Sequence, residues 1–314
     1  MSNLTRLCIQ KLVDPPSEYV FTADSKVRAA FVKSKRWPVG SVLRIAFPSG
    51  RIDDIRWTPI NVLQANGQKV DPIEDEIRKM NPTDAVKTVV RERIVPIAPG
   101  IKIEFVDNVE DANVRVGFDD SSGSWALVGT DQLKVDPPES TVNFGWLDSA
   151  TIMHEFGHVL GMIHEHQNPN DNQIKWNRDA VIEWASRTQG WDAETTETNI
   201  LNRYNENDIN GSVFDPKSIM LYFFSADLTT NGVGTSQNLR LSSTDKYWIE
   251  SSYQSSASGG GVVKKNVDYD EQSGSNMDSE TWYKTPFGIL IIIVGLLLLG
   301  VIVSLLVRML RRIQ

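Results

Sequence analysis

All four histidines of this 314-residue chain lie between positions 154 and 166. They belong to the run His154-Glu155-Phe156-Gly157-His158-Val159-Leu160-Gly161-Met162-Ile163-His164, followed by Glu165 and His166. On a helix, His154 and His158 share a face and stand about 6 Å apart along the axis. Two imidazoles so placed can converge on one zinc ion. Glu155 lies beside them, where a carboxylate can take a proton from metal-bound water. A continuing helix would carry His164 about 9 Å past His158 and rotate it away. Gly161 removes that obstacle, because glycine enters the left-handed region freely and can end a helix sharply. The chain then doubles back and delivers His164 as the third ligand. Three histidines leave one position open for water, which is the catalytic rather than the structural arrangement. Zinc, one per chain, is therefore the expected cofactor. The bland alternative is an amphipathic core helix with incidental histidines, and it needs a rare residue at three positions of a metal site by chance. His166 is expected at the surface or behind the site rather than on the metal.

The surrounding elements can be read from pattern. Alternation over 42–47, between Pro38-Val39-Gly40 and Pro48-Ser49-Gly50, predicts a strand. Residues 71–95 predict a helix broken near Asn81-Pro82. Short β-rich runs at 101–106, 114–118, 123–129 and 141–146 predict four more strands. An apolar stripe through Ile152, Phe156, Val159 and Leu160 predicts a helix over 149–160. Beyond Gly161, helices are expected at 177–187 and 193–204 between long polar loops. A last one is expected at 243–253, packed through Trp248, Ile249 and Tyr253.

The histidine segment resembles the zinc-binding motif of the metzincin superfamily and, within it, the astacin-like peptidases. Glu165 follows the third histidine as in that family, and Ser218-Ile219-Met220-Leu221-Tyr222 is similar to its Met-turn. Arg36-Trp37-Pro38 resembles the start of its catalytic domain, and 241–253 its closing helix. The resemblance spans about residues 35–255. It implies an α+β, two-lobed zinc peptidase. A mixed twisted sheet and the active-site helix form the N-terminal lobe, and the C-terminal lobe is irregular and helical. It further implies that His154, His158 and His164 hold zinc, that Met220 forms the floor beneath it, and that Glu155 and Tyr222 are catalytic. Tyr222 would be the phenol that stabilises the tetrahedral intermediate. The substrate would be a peptide or protein held extended along the strand containing Gly123-Ser124-Trp125. The sequence departs from the family pattern at His166–Asp171 and at Leu221, and it lacks the usual cysteines. No propeptide with an aspartate placed to cap the metal is recognisable.

The net charge of −8 argues against nucleic acid as a partner, since phosphate binding needs excess Lys and Arg. A single cysteine, Cys8, excludes an intramolecular disulfide and favours a reducing compartment. Residues 287–307 are uncharged and rich in Ile, Leu and Val, long enough to span about 30 Å of hydrocarbon, and no polar face suits them to a protein core. They are expected to contact membrane lipid. The chain thus divides into an N-terminal extension (1–34), the peptidase domain (35–255), a Ser/Gly-rich linker (256–286), a transmembrane helix (287–307) and a basic tail (308–314). Two arguments on topology conflict. The absence of a signal peptide and of disulfides places the catalytic domain on the cytosolic side of a C-terminal tail anchor. The arginines after the helix pull the tail to that same side by the positive-inside rule. The first is preferred. Two rival functions are a membrane-anchored binding module without turnover and a zinc hydrolase of non-peptide amides. Internal cleavage of an unmodified protein separates both from an endopeptidase.

Overall fold

Runs of branched and aromatic residues between glycine and proline turns build the strands. A computed structural model describes residues 7–11, 31–48, 55–65, 67–204, 209–210 and 213–254. In chain order the strands are β1 (Ile9–Lys11), β2 (Phe31–Val32), β3 (Val42–Ala46), β4 (Lys102–Phe105), β5 (Val114–Gly117), β6 (Trp125–Leu127), β7 (Val142–Asn143) and β8 (Ile209–Asn210). The helices are α1 (Ile60–Leu63), α2 (Glu74–Ile77), α3 (Pro82–Val89), α4 (Ser149–Val159), α5 (Arg178–Gln189), α6 (Ala193–Thr196) and α7 (Ser243–Ser252). The main sheet runs β1-β6-β7-β5-β3-β4. Within it only β6 and β7 are antiparallel; the other pairs are parallel. β2 pairs with β8 separately. The architecture is α+β with a mixed sheet, as the family resemblance implies.

The expected strands are present, shortened at their ends. The expected helix at 71–95 is two helices. Asn81 accepts from the Asp84 amide at 2.9 Å and Pro82 opens α3, so the break falls at the cap the sequence offers. The helix expected at 193–204 holds α-helical form only to Thr196 and continues to Leu201 as a wider turn. Among the described residues no helix is long and apolar enough to cross a membrane. The linker, membrane span and basic tail expected at 256–314 lie outside them.

Residues 9–11, read from the sequence as part of an N-terminal extension, instead form an edge strand of the main sheet, in parallel register with Trp125–Leu127. Alternation over three residues is too short to be recognised as a strand in isolation.

α4 runs through the middle of the molecule and all of its residues are buried. Ile152, Met153 and Phe156 pack with Leu43 and Ile45 of β3, Val116 of β5 and Val86 and Val89 of α3 in one apolar cluster. A second cluster gathers Val181 and Ala185 of α5 with Ile200, Tyr222, Phe224 and Leu228. A helix enclosed on all sides can carry polar groups only where they have partners or hold a ligand. The imidazoles and the carboxylate of α4 fall under that requirement.

Candidate metal centre and active site

Asp148 starts α4 by accepting from the Thr151 amide at 2.7 Å. At the other end the free carbonyls are taken by distant side chains. Trp37 Nε1 donates to Val159 O at 2.7 Å and Tyr253 Oη to Leu160 O at 2.5 Å. Gly161 then turns the chain at φ +95°, a conformation that strains any residue with a Cβ. The helix end is thus fixed from both termini of the domain, and so is the return path to His164.

The return brings the three histidines together. Their candidate ligand atoms lie within 4.8 Å of one another, all buried. His154 Nδ1 lies 2.9 Å from Ile219 O, and His158 Nδ1 2.8 Å from Met162 O. A carbonyl only accepts, so both Nδ1 atoms carry the proton and both Nε2 atoms carry a lone pair. His154 Nε2 is buried without a hydrogen-bond partner. His158 Nε2 stands 3.1 Å from His164 Nε2. Tetrahedral ligands at about 2.0 Å from zinc stand about 3.3 Å apart, so this spacing suits two ligands of one ion. Burial lowers His154 to about 4, and it holds His158 and His164 well below the usual histidine range, with neighbouring rings adding to the effect. The rings are neutral at pH 7, the form that binds metal. The residues present fit zinc.

Glu155 is fully buried, and burial raises it to about 8. Neither of its oxygens meets an N–H or O–H donor among the described residues. The group beside it is the Cys8 thiol, and Cys8 Sγ, His154 and Glu155 also offer ligand atoms within 4.8 Å of one another. Burial first, and the Glu155 carboxylate second, push that thiol up.

Met220 packs against α4. A Cβ on Gly157 would come within 2.6 Å of Met220 Sδ, so the glycine between the two motif histidines is what admits the sulfur to the helix. The turn carrying Met220 is held by Asp245. Ser218 Oγ and the Ile219 amide donate to its two oxygens at 2.7 and 2.8 Å, and the Ser242 amide donates at 2.9 Å. The Glu165 amide donates to Met220 O at 3.0 Å and ties this turn to the third histidine. Glu165 itself is buried and accepts from Asn168 Nδ2 and the Asp215 amide. Gly157 and Asp245 were not singled out from the sequence. Ser242-x-x-Asp245 reads as a helix-capping pattern, which is half of what Asp245 does.

Tyr222 completes the group. Its ring centroid is 4.2 Å from that of His164, and its hydroxyl is buried without a partner. His166, expected at the surface or behind the site, is fully buried in the second of these places. It lies 4.8 Å from the Tyr222 ring, edge-on to Trp176 and Phe224, with Nε2 2.9 Å from Asn199 O. The sequence-predicted residues His154, Glu155, His158, His164 and Tyr222 therefore meet in one place, with Met220 packed on α4 at Gly157 and Gly161 at the turn that ends the helix.

A family model for Astacin, a family of peptidases, matches residues 77–242, more than half of the chain. A structure of myroilysin is 31% identical, with a TM-score of 0.57, covering 72% of this chain and 98% of that one. This chain belongs to the astacin family. A second myroilysin structure is 28% identical over 80% of this chain and 92% of the other, with a TM-score of 0.47. High choriolytic enzyme 1, a hatching-enzyme zinc protease from the medaka fish Oryzias latipes, is 14% identical over 73% of this chain and 98% of its own, at a TM-score of 0.39. No curated protein matches in a sequence search. As an astacin-family member the chain is a zinc metallopeptidase and acts on peptide or protein substrates.

Asp245 gives this site a pH-sensitive support. Burial raises its carboxyl from 3.8 to about 6, outweighing three hydrogen bonds that favour the charged form. The folded chain therefore holds a proton that the unfolded chain releases. The stability this proton contributes is fully present below about 4 and is lost as pH rises through about 6. Chemical denaturation across pH should show the stability of the wild type falling relative to Asp245→Asn between about pH 4 and 7 and then levelling. A difference independent of pH would refute the assignment.

Proposed function

We propose that this chain is a membrane-anchored zinc metalloendopeptidase in which Glu155 is the general base. The convergence of three neutral, buried imidazoles beside a buried carboxyl carries this reading. His154, His158 and His164 hold the metal through nitrogen. Zinc, when bound, supplies Lewis acidity that brings the pKa of water towards about 7. Glu155, in its ionised form, takes a proton in the first step and returns it to the leaving amine. Tyr222 donates a hydrogen bond from its hydroxyl to the oxyanion. Met220 packs under the histidines and keeps them from tilting. An extended substrate adds to the β6 edge, its main chain supplying affinity and side-chain pockets selectivity.

The same reading assigns 35–255 to the peptidase domain, 256–286 to a tether, 287–307 to a lipid-spanning helix and 308–314 to a basic tail. It places the catalytic domain on the cytosolic side. The hydrophobicity and length of 287–307 support the anchor. The single cysteine supports the cytosolic side. Asn210-Gly211-Ser212 is an N-glycosylation triplet, and a glycan at Asn210 would rule that side out.

The test is cleavage of an unmodified unfolded protein by a zinc-loaded variant lacking residues 1–11, which opens the β6 edge. Mass spectrometry should find cuts at internal peptide bonds. Chelation should abolish them, and zinc should restore them. Zinc-independent cutting, or release of terminal residues alone, would overturn the reading.

A further inference from the structure

The hydroxyl of Tyr222 is buried without a hydrogen-bond partner among the described residues. The place of that oxygen is therefore set by the ring and by the backbone that carries it. The ring lies 4.2 Å from His164 and 4.8 Å from His166, centroid to centroid. Upstream, Asp245 holds the backbone at Ser218 and Ile219. At Tyr222 itself the hold comes from a different loop. Thr235 Oγ1 donates to Tyr222 O at 2.5 Å and accepts from the Phe224 amide at 2.7 Å. The Thr235 amide donates to Phe224 O at 2.9 Å.

One hydroxyl thus meets a carbonyl and an amide that flank Phe223. Tyr222 and Phe224 are buried, and buried backbone groups need partners. A hydroxyl carries one proton and two lone pairs, so it serves both groups at once, whereas an apolar side chain serves neither. Thr235 is placed in turn by a loop, 225–235, that is anchored ahead of α5. The Asn177 amide donates to Leu228 O at 2.9 Å and the Thr230 amide to Lys175 O at 2.7 Å. Thr229 Oγ1 lies between Ala226 O and Val233 O, at 3.0 and 3.1 Å. Gly234 lets the returning chain come close, since a Cβ there would stand 3.0 Å from both Phe224 O and the Ala226 nitrogen.

We propose that Thr235 is a positioning residue for Tyr222, fixing the backbone from which the phenol reaches the oxyanion. This rests on the reading of Tyr222 as the oxyanion donor. Such a donor acts only within about 2.7–3.1 Å of the developing charge. The phenol oxygen stands at the far end of a rigid ring, so a small turn of the Tyr222 backbone is enlarged at that oxygen. A misplacement of about 1 Å costs up to about 10²-fold in rate. Loss of the Thr235 hydroxyl leaves Tyr222 O and the Phe224 amide unpaired, and the segment shifts to find other partners. The ring then occupies several positions, and only a fraction of them bring its hydroxyl to the oxyanion.

Fluorine NMR on the full zinc-loaded chain tests this coupling without reference to activity. A 3-fluorotyrosine is placed at position 222 and, in a separate sample, at position 253, where Tyr253 is buried in the other apolar cluster and donates to Leu160 O. Thr235→Val keeps the shape of the side chain and removes the hydroxyl, whereas Thr235→Ser keeps the hydroxyl. The signal at 222 should shift or broaden in Thr235→Val and keep its wild-type form in Thr235→Ser. The signal at 253 should not change in either. In turnover, Thr235→Val should lower kcat about 10-fold with KM changed by less than about twofold. Added to Tyr222→Phe it should cost nothing further, because the group it positions is already gone. An unchanged signal at 222 in Thr235→Val, equal changes at 222 and 253, or full additivity with Tyr222→Phe would each overturn the proposal. A normal kcat in Tyr222→Phe beside a disturbed signal at 222 would instead overturn the oxyanion reading and reduce the Thr235 contact to a structural one. Where Thr235→Val does not fold, Thr235→Ala removes the hydroxyl without setting a methyl against the two polar groups, and the same outcomes apply.

Discussion

Glu155→Gln should lower peptide cleavage about 10²–10⁴-fold in the variant lacking residues 1–11, with one zinc still bound. The substitution keeps the shape of the side chain and removes its ability to accept a proton. Three histidines hold the metal without Glu155, so metal content should not change. Stability should not fall either. Burial already favours the neutral carboxyl, raising it to about 8, and a neutral amide is tolerated in the same place. Loss of activity with unchanged zinc and unchanged melting temperature is therefore the diagnostic combination. Measured by kcat on an internally cleaved peptide, retention of near-wild-type turnover would remove Glu155 from the mechanism. Loss of zinc would instead assign it to the metal.

Tyr222→Phe should lower kcat about 10²-fold with little change in KM, the size expected when one oxyanion donor is removed. The same change should leave stability unaltered or raise it. In the closed chain the hydroxyl is buried without a partner, while the ring packs against His164 and His166. An enclosed, unpaired hydroxyl costs about 1–3 kcal/mol, and phenylalanine keeps the ring contacts without it. Activity and melting temperature should thus move in opposite directions. A merely structural tyrosine would lose both together. An effect confined to KM would place the hydroxyl in substrate binding instead.

Both predictions depend on parts far apart in the chain. Trp37 and Tyr253 lock the end of α4, and Asp245 pins the turn bearing Met220. Ile219 O orients His154. The centre is therefore positioned by residues from 37 to 253, although its metal ligands span only eleven positions of sequence.

The ligands were legible from the sequence because their chemistry is local. Helical spacing puts His154 and His158 on one face, and a glycine at 161 is needed to bring back His164. Its observed φ of +95° follows from the same requirement. The strands near 42, 102, 114, 125 and 142 were legible for a similar reason, since alternation is a short-range signal. The roles of Gly157 and Asp245 were not, and His166 was legible only as a residue of the surface or behind the site. Their roles come from what approaches them: the sulfur of Met220, the turn that begins 27 positions upstream at Ser218, and an aromatic cluster drawn from several loops. β1 is the clearest case. Three residues carry too little pattern to declare themselves a strand, and a lone cysteine carries no spacing at all. The amino-acid order by itself determined which groups could hold zinc and which turn would let them meet. The tertiary structure alone decided that Leu7 and Cys8 lie over that centre, because only pairing across the sheet edge brings residue 8 to residue 154.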